Sequence, residues 1–78
     1  MENETLYLWN SSLAARNAAR AGDVPAAHEA IDDLEGIALH SAPKLARGAY
    51  VELQAMAGQA NAFIACYARL ALGRLKAA

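Results

Sequence analysis

The chain is expected to be all-α: an antiparallel helical hairpin followed by a long C-terminal helix. Three observations predict this. Helix-stopping and helix-starting residues cluster at two main places, apolar residues between them recur at helical spacing, and no segment alternates apolar with polar side chains as a half-buried strand would. The 78 residues are taken as one helical domain, 1–78, of a size at which a lone hydrophobic core is marginal and association adds stability.

The first helix is placed at about 5–21, with Thr5 as its cap. Its large apolar side chains, Leu6, Trp9 and Leu13, are expected to face inward near its start, followed only by Ala14, Ala18 and Ala21. Arg16 and Arg20 near its end suit the negative pole of the helix dipole.

Gly22-Asp23-Val24-Pro25 then ends one helix and begins the next. Gly22 can take the left-handed conformation past the helix end, Asp23 can cap, and Pro25 sits in a first turn where its missing N–H costs nothing. The second helix, about 24–40, carries an ordinary apolar stripe of Ala27, Ala30, Ile31, Leu34 and Ala38, with Glu29, Asp32, Asp33 and Glu35 turned outward. Ser41-Ala42-Pro43 repeats the cap-then-proline device.

The third segment, about 42–76, differs from the first two. Ala46, Tyr50, Leu53, Ala57, Ala60, Ile64, Tyr67 and Ala71 recur at alternating spacings of four and three, like a coiled-coil seam. Leu45, Ala49, Met56, Phe63 and Leu70 form a second line beside it, and from Leu53 to Ala68 no side chain is charged. A solvated helix carries charge on its outer face, so this stretch is expected to be covered on more than one side, by a second copy of the chain in a homodimer formed through this helix or by another protein. A continuous helix of about 35 residues would be about 52 Å long, against a radius of gyration of about 11–12 Å for a compact chain of this size. It must overhang the hairpin or break. Gly58 is the one candidate break, and a break there makes a four-helix bundle in place of a three-helix one. No proline and no immediate cap follow Gly58, so the continuous or merely bent helix is the expectation.

Within residues 13–38, the run Ala-Arg-Ala-Gly-Asp-Val-Pro-Ala-Ala-His-Glu-Ala-Ile resembles one tetratricopeptide helical hairpin, in which a Gly-Asp turn leads into an alanine-led second helix. The resemblance covers about a third of the chain and no second copy of the motif follows. It implies a way of packing a helix pair and carries no function.

Composition narrows function by exclusion. A formal net charge of −1 gives no general attraction to nucleic acid or anionic membrane. The acidic start, Met-Glu-Asn-Glu, lacks the pattern of a secretory signal, and the single cysteine, Cys66, rules out an internal disulfide. A cytoplasmic protein is expected, and the alanine-heavy composition suggests a bacterium or its phages and plasmids.

Chemistry-bearing residues are few. His28 and Asp32, one turn apart with Asp33 beside them, are half of a metal site at most, and a solvated acidic face explains them better. Cys66 lies mid-helix with no neighbour to activate it, and His40 suits a helix end. No catalytic residue, cofactor site or metal site is assigned. Lys44 and Arg47 are expected to pair with the acidic second helix, while Arg69, Arg74 and Lys76 suit a helix C-terminus.

A non-enzymatic protein acting through protein–protein binding is therefore expected: a homodimeric adaptor, or a phage- or plasmid-encoded inhibitor of a host protein. Trp9, Tyr50, Phe63, Ile64, Tyr67 and Arg69 are the candidate partner-binding residues, since aromatic and arginine side chains dominate binding hot spots. The competing readings are a small DNA-binding regulator using the basic ends of the long helix, and a metal-dependent enzyme using His28, Asp32 and Asp33.

Overall fold

Four helices account for almost the whole of the computed structural model, which describes residues 3–78: α1 (Asn3–Ala21), α2 (Val24–His40), α3 (Pro43–Ala57) and α4 (Ala62–Ala77). The all-α expectation holds, and no strand occurs among the described residues. The single long third helix does not. Residues 58–61 interrupt it, so the four-helix arrangement broken at Gly58 is the one adopted.

The punctuation explains where each helix stops. At the end of α1 the Asp23 N–H bonds to the Ala18 carbonyl and the Gly22 N–H to the Ala19 carbonyl, with Gly22 at φ +70°, which is a Schellman closure. Asp23 Oδ1 then accepts the Ala26 N–H at 3.2 Å and caps α2, with Pro25 in its first turn. Ser41 does not repeat this role. It closes α2, its own N–H bonding to the Ile37 carbonyl, and α3 begins at Pro43 after Ala42, whose side chain offers no cap. Thr5 lies inside α1, which already runs from Asn3.

The break after α3 works differently. Gly58 keeps a negative φ of −92°, and tightened bonds from the Gly58 and Gln59 N–H groups to Ala55 and Met56 close the helix. Asn61 then restarts it: its Oδ1 accepts from the N–H groups of both Phe63 (3.0 Å) and Ile64 (3.3 Å). The missing stop signal was a start signal three residues downstream.

Successive helices alternate in direction. α1 and α3 also pack side by side, as do α2 and α4, so the bundle is two layers, α1 with α3 and α2 with α4. Its extents of 31 × 29 × 16 Å fit a slab two helices thick, and its radius of gyration is 11.4 Å. α1 and α3 are parallel, joined by Arg16 to Glu52. α2 and α4 are parallel, joined by His28 to Phe63 and Glu35 to Arg74.

The core lies between the layers. α2 contributes Ala27, Ala30, Ile31, Leu34 and Ile37, close to the expected stripe with Ile37 in place of Ala38. α3 contributes Ala49, Leu53 and Met56, and α4 contributes Ile64, Ala65, Ala68 and Ala71. The uncharged 53–68 stretch is thus partly covered within one chain: the break folds its second half back so that Ile64, Ala65 and Ala68 join Leu53 and Met56 in the core, while Gln54, Ala55, Ala60, Ala62, Phe63 and Cys66 stay exposed.

α1 reverses the expectation. It buries Ser11, Ala15 and Ala18, while Leu6, Trp9 and Leu13 face solvent. In a hairpin turning at Gly22 and Asp23, Ala18 is level with Ala27, Ala15 with Ala30 and Ser11 with Leu34. Small residues thus line the close approach.

Two stability outcomes follow. Asn61→Ala removes the only side-chain acceptor at the start of α4 and should cost about 1 kcal/mol in urea unfolding. Leu53→Ala, at a site with no solvent exposure, should cost about 2–5 kcal/mol. Unchanged midpoints would contradict the four-helix packing.

Candidate functional site

The exposed large apolar side chains form two main groups, with Tyr7 on α1 and Leu39 on α2 exposed outside them. Leu6, Trp9 and Leu13 occupy the outer side of α1, and Val51 is exposed on α3 in the same layer. Phe63 and Leu70 stand two turns apart on α4.

Trp9 and Leu13 of the first group line a cleft of about 280 Å³ between α1 and α3, with Thr5, Leu8, Ser12 and Gly48 along its length and Arg16 and Glu52 at one end. Gly48 allows the close approach of α1 and α3 beside the cleft. A methyl group there would stand 3.1 Å from Leu8 Cδ2, so the glycine lets Leu8 sit directly on the α3 backbone. A second depression adjoins it, sharing Thr5 and Leu8 and reaching Ala42, Lys44 and Leu45 at the turn between α2 and α3. Arg16 donates through both Nε and a terminal nitrogen to the two oxygens of Glu52, a bidentate pair that closes the far end.

Of the sequence-predicted partner-binding residues, Trp9 is 70% exposed and stands on this cleft. Phe63 is 74% exposed on α4, away from it, and Arg69 is exposed on α4 as well. Tyr50 and Tyr67 are half-buried. Ile64 is wholly buried in the core and offers nothing to a partner, because the Asn61 restart rotates it inward. The six therefore do not form one patch. Leu8, Leu13 and Gly48 were missed. The spacing of Leu6, Trp9 and Leu13 was visible in the sequence, but such a stripe signals a buried face as readily as an exposed one.

A second cluster joins α2 to α4. The His28 and Tyr67 rings stack with centroids 3.9 Å apart and planes inclined by 12°. His28 Nε2 lies 3.2 Å from the Phe63 carbonyl and must donate to it, since a carbonyl only accepts. The Tyr67 hydroxyl donates to Asp32 Oδ1 at 2.7 Å, and Arg74 grips Glu35 through two bonds of 2.8 and 2.7 Å. The side chains proposed for a metal site are therefore engaged: His28 with Phe63 and Tyr67, Asp32 with Tyr67. Among the described residues no group of three or more His, Cys, Asp or Glu is arranged to hold a metal.

Nor do Lys44 and Arg47 pair with α2. Arg74 takes Glu35, and among the described residues neither Lys44 nor Arg47 has an ion-pair partner. Asp33 stands by the Tyr7 hydroxyl and raises its pKa. Cys66 is exposed on α4. Among the described residues no helix is long and apolar enough to cross a membrane. No protein family matches the chain, and no curated protein or solved structure matches it significantly.

The α2–α4 seam has a definite pH signature. Its hydrogen bond to Asp32 raises Tyr67 above the ordinary 10.0, so this contribution is complete below about pH 10 and is lost as pH rises through the raised value. The bond from Arg74 lowers Glu35 below 4.5, so that contribution is complete above 4.5 and is lost as pH falls through the lowered value. Tyr67→Phe should therefore flatten the alkaline limb of a stability–pH curve, and Glu35→Gln the acid limb, in urea midpoints taken across pH. Limbs identical to wild type would mean the seam is not coupled to folding.

Proposed function

We propose that the protein works by binding another protein at the α1/α3 cleft, with Trp9 as the anchor. The observation that carries this reading is the outward stripe of Leu6, Trp9 and Leu13 beside a cleft lined by Leu8 and Gly48. A helix with small residues available for its inner face has no internal use for a tryptophan that is 70% exposed. Covering such a ring is worth about 3–4 kcal/mol of transfer free energy, and buried tryptophan is the commonest kind of binding hot spot. The reading fits a small adaptor or an inhibitor of a host protein, neither of which needs chemistry of its own.

Self-association is the second reading, favoured by Phe63 and Leu70 on α4, at 74% and 62% exposure. It would use a different surface, so the two are separable and compatible.

Affinity capture from the source cell, with wild type, Trp9→Ala and Leu70→Ala as baits, tests the first reading. Wild type and Leu70→Ala should retain the same partner, and Trp9→Ala should lose it at least about tenfold. Recovery of the bait alone, or equal recovery with Trp9→Ala, would sink the cleft reading. Sedimentation of Phe63→Asp beside wild type tests the second: a wild-type monomer at high micromolar concentration would end it.

A further inference from the structure

We propose that the occupant of the α1/α3 cleft is an amphipathic helix whose apolar face ends in a carboxylate, and that this carboxylate docks at Lys44 and the first turn of α3. The inference rests on the protein-binding reading above and names the chemistry of the partner.

Shape comes first. The cleft and the depression adjoining it run from Lys44 and Thr5 to Arg16 and Glu52 between two parallel helices. Along α1 that span, Thr5 to Arg16, is about 16 Å at about 1.5 Å per residue, or three helical turns. A furrow between parallel helices accepts a third helix through side chains at i, i+3, i+4 and i+7. Gly48 lets the Leu8 side chain pack directly onto the α3 backbone at one wall of this furrow.

Polarity comes second. The middle of the cleft is apolar apart from Ser12, running from Leu8 and Trp9 to Leu13. Its two ends differ in charge. At the far end the Arg16 guanidinium is already neutralised by Glu52. At the near end Lys44 is exposed and has no carboxylate partner among the described residues.

The start of α3 adds to the attraction at that same end. Its cap, Ala42, supplies no side-chain acceptor, and the first intrahelical bond there is from the Ala46 N–H. The N–H groups of Lys44 and Leu45, at the positive end of the helix dipole, are thus open to a carboxylate arriving beside the Lys44 ammonium. Charge on the two layers agrees. α1 and α3 carry Arg16, Arg20, Lys44 and Arg47 against Glu4 and Glu52 among the described residues, whereas α2 and α4 carry Arg69, Arg74 and Lys76 against Glu29, Asp32, Asp33 and Glu35. An acidic partner is steered to the cleft face and away from the other.

A fatty acid also combines an apolar body with a carboxylate. It needs an enclosing pocket that covers most of its surface, and a cleft whose tryptophan remains 70% exposed does not enclose one.

Trp9 is the only tryptophan in the chain, so its emission reports directly on the cleft. The full chain is titrated with three tryptophan-free amphipathic peptides of about sixteen residues that share one leucine face and end in two acidic, two neutral or two basic residues. Sodium dodecanoate is a fourth arm, and Lys44→Glu and Arg69→Glu are run in parallel with circular dichroism to verify folding. The acidic peptide should shift Trp9 emission to the blue and bind at least about tenfold more tightly than the basic one. Lys44→Glu should reverse that order, and Arg69→Glu, on α4, should leave it unchanged. Equal affinity for all three peptides would overturn the carboxylate anchor while leaving the protein-binding reading standing. Dodecanoate binding with no peptide binding, or no binding in any arm up to about millimolar, would overturn both.

Discussion

The bundle depends on short side chains at the places where helices approach. Alanines at 15, 18, 27, 30, 49, 65, 68 and 71 are closed to solvent, and among larger residues only Ile31, Leu34, Ile37, Leu53, Met56 and Ile64 join them. Alanine against alanine lets two helices approach toward the short end of the usual 8–10 Å range. That closeness makes many weak dispersion contacts from little side-chain volume. It also excludes bulk: turning Trp9 and Leu13 into the α1–α2 contact would force the helices apart and open voids between the remaining alanines. The exposed stripe on α1 is therefore a consequence of how the core is built.

A core this economical leaves the layers needing lateral ties, and polar side chains supply them. Parallel neighbours are joined at one position by Arg16 with Glu52, and at three by His28 with Phe63, Tyr67 with Asp32 and Arg74 with Glu35. Each tie is at least partly solvated, so each adds modest energy. Their value is in register. His28 stacked on Tyr67 while bonded to the Phe63 carbonyl fixes both the rotation and the height of α4 on α2. No described side-chain polar atom is left buried without a partner, so the groups that lose water in these ties gain hydrogen bonds in exchange.

What the sequence made legible follows from which signals are local. The Gly22-Asp23-Pro25 turn and the α2 stripe could be read because capping and amphipathicity act within a few residues. The Gly58 break was misjudged because a helix can end on tightened backbone bonds alone, with Asn61 deferred until the next helix begins. Lys44 and Arg47 were matched with α2 on charge alone, yet Arg74 takes Glu35 because parallel packing sets the two side by side. The cleft was the least legible feature. Nothing in the spacing of Leu6, Trp9 and Leu13 says which side of a helix is inside. That depends on whether the opposite stripe, Ser11, Ala15 and Ala18, fits the neighbour more closely, which is a property of α2 rather than of α1.

The same reasoning separates the two apolar patches. Phe63 follows directly on the residues that start α4, and its backbone already serves the fold, the N–H bonding to Asn61 and the carbonyl to His28. Its exposed ring accompanies a position held for backbone reasons. Trp9 has no such tie. It sits mid-helix, where alanine would have higher helix propensity, and its neighbours Leu8 and Gly48 form a surface that recedes beneath it. A large ring held over a recess, at a position where the fold asks for nothing large, is what favours α1 and α3 over Phe63 and Leu70 of α4 as the proposed partner surface.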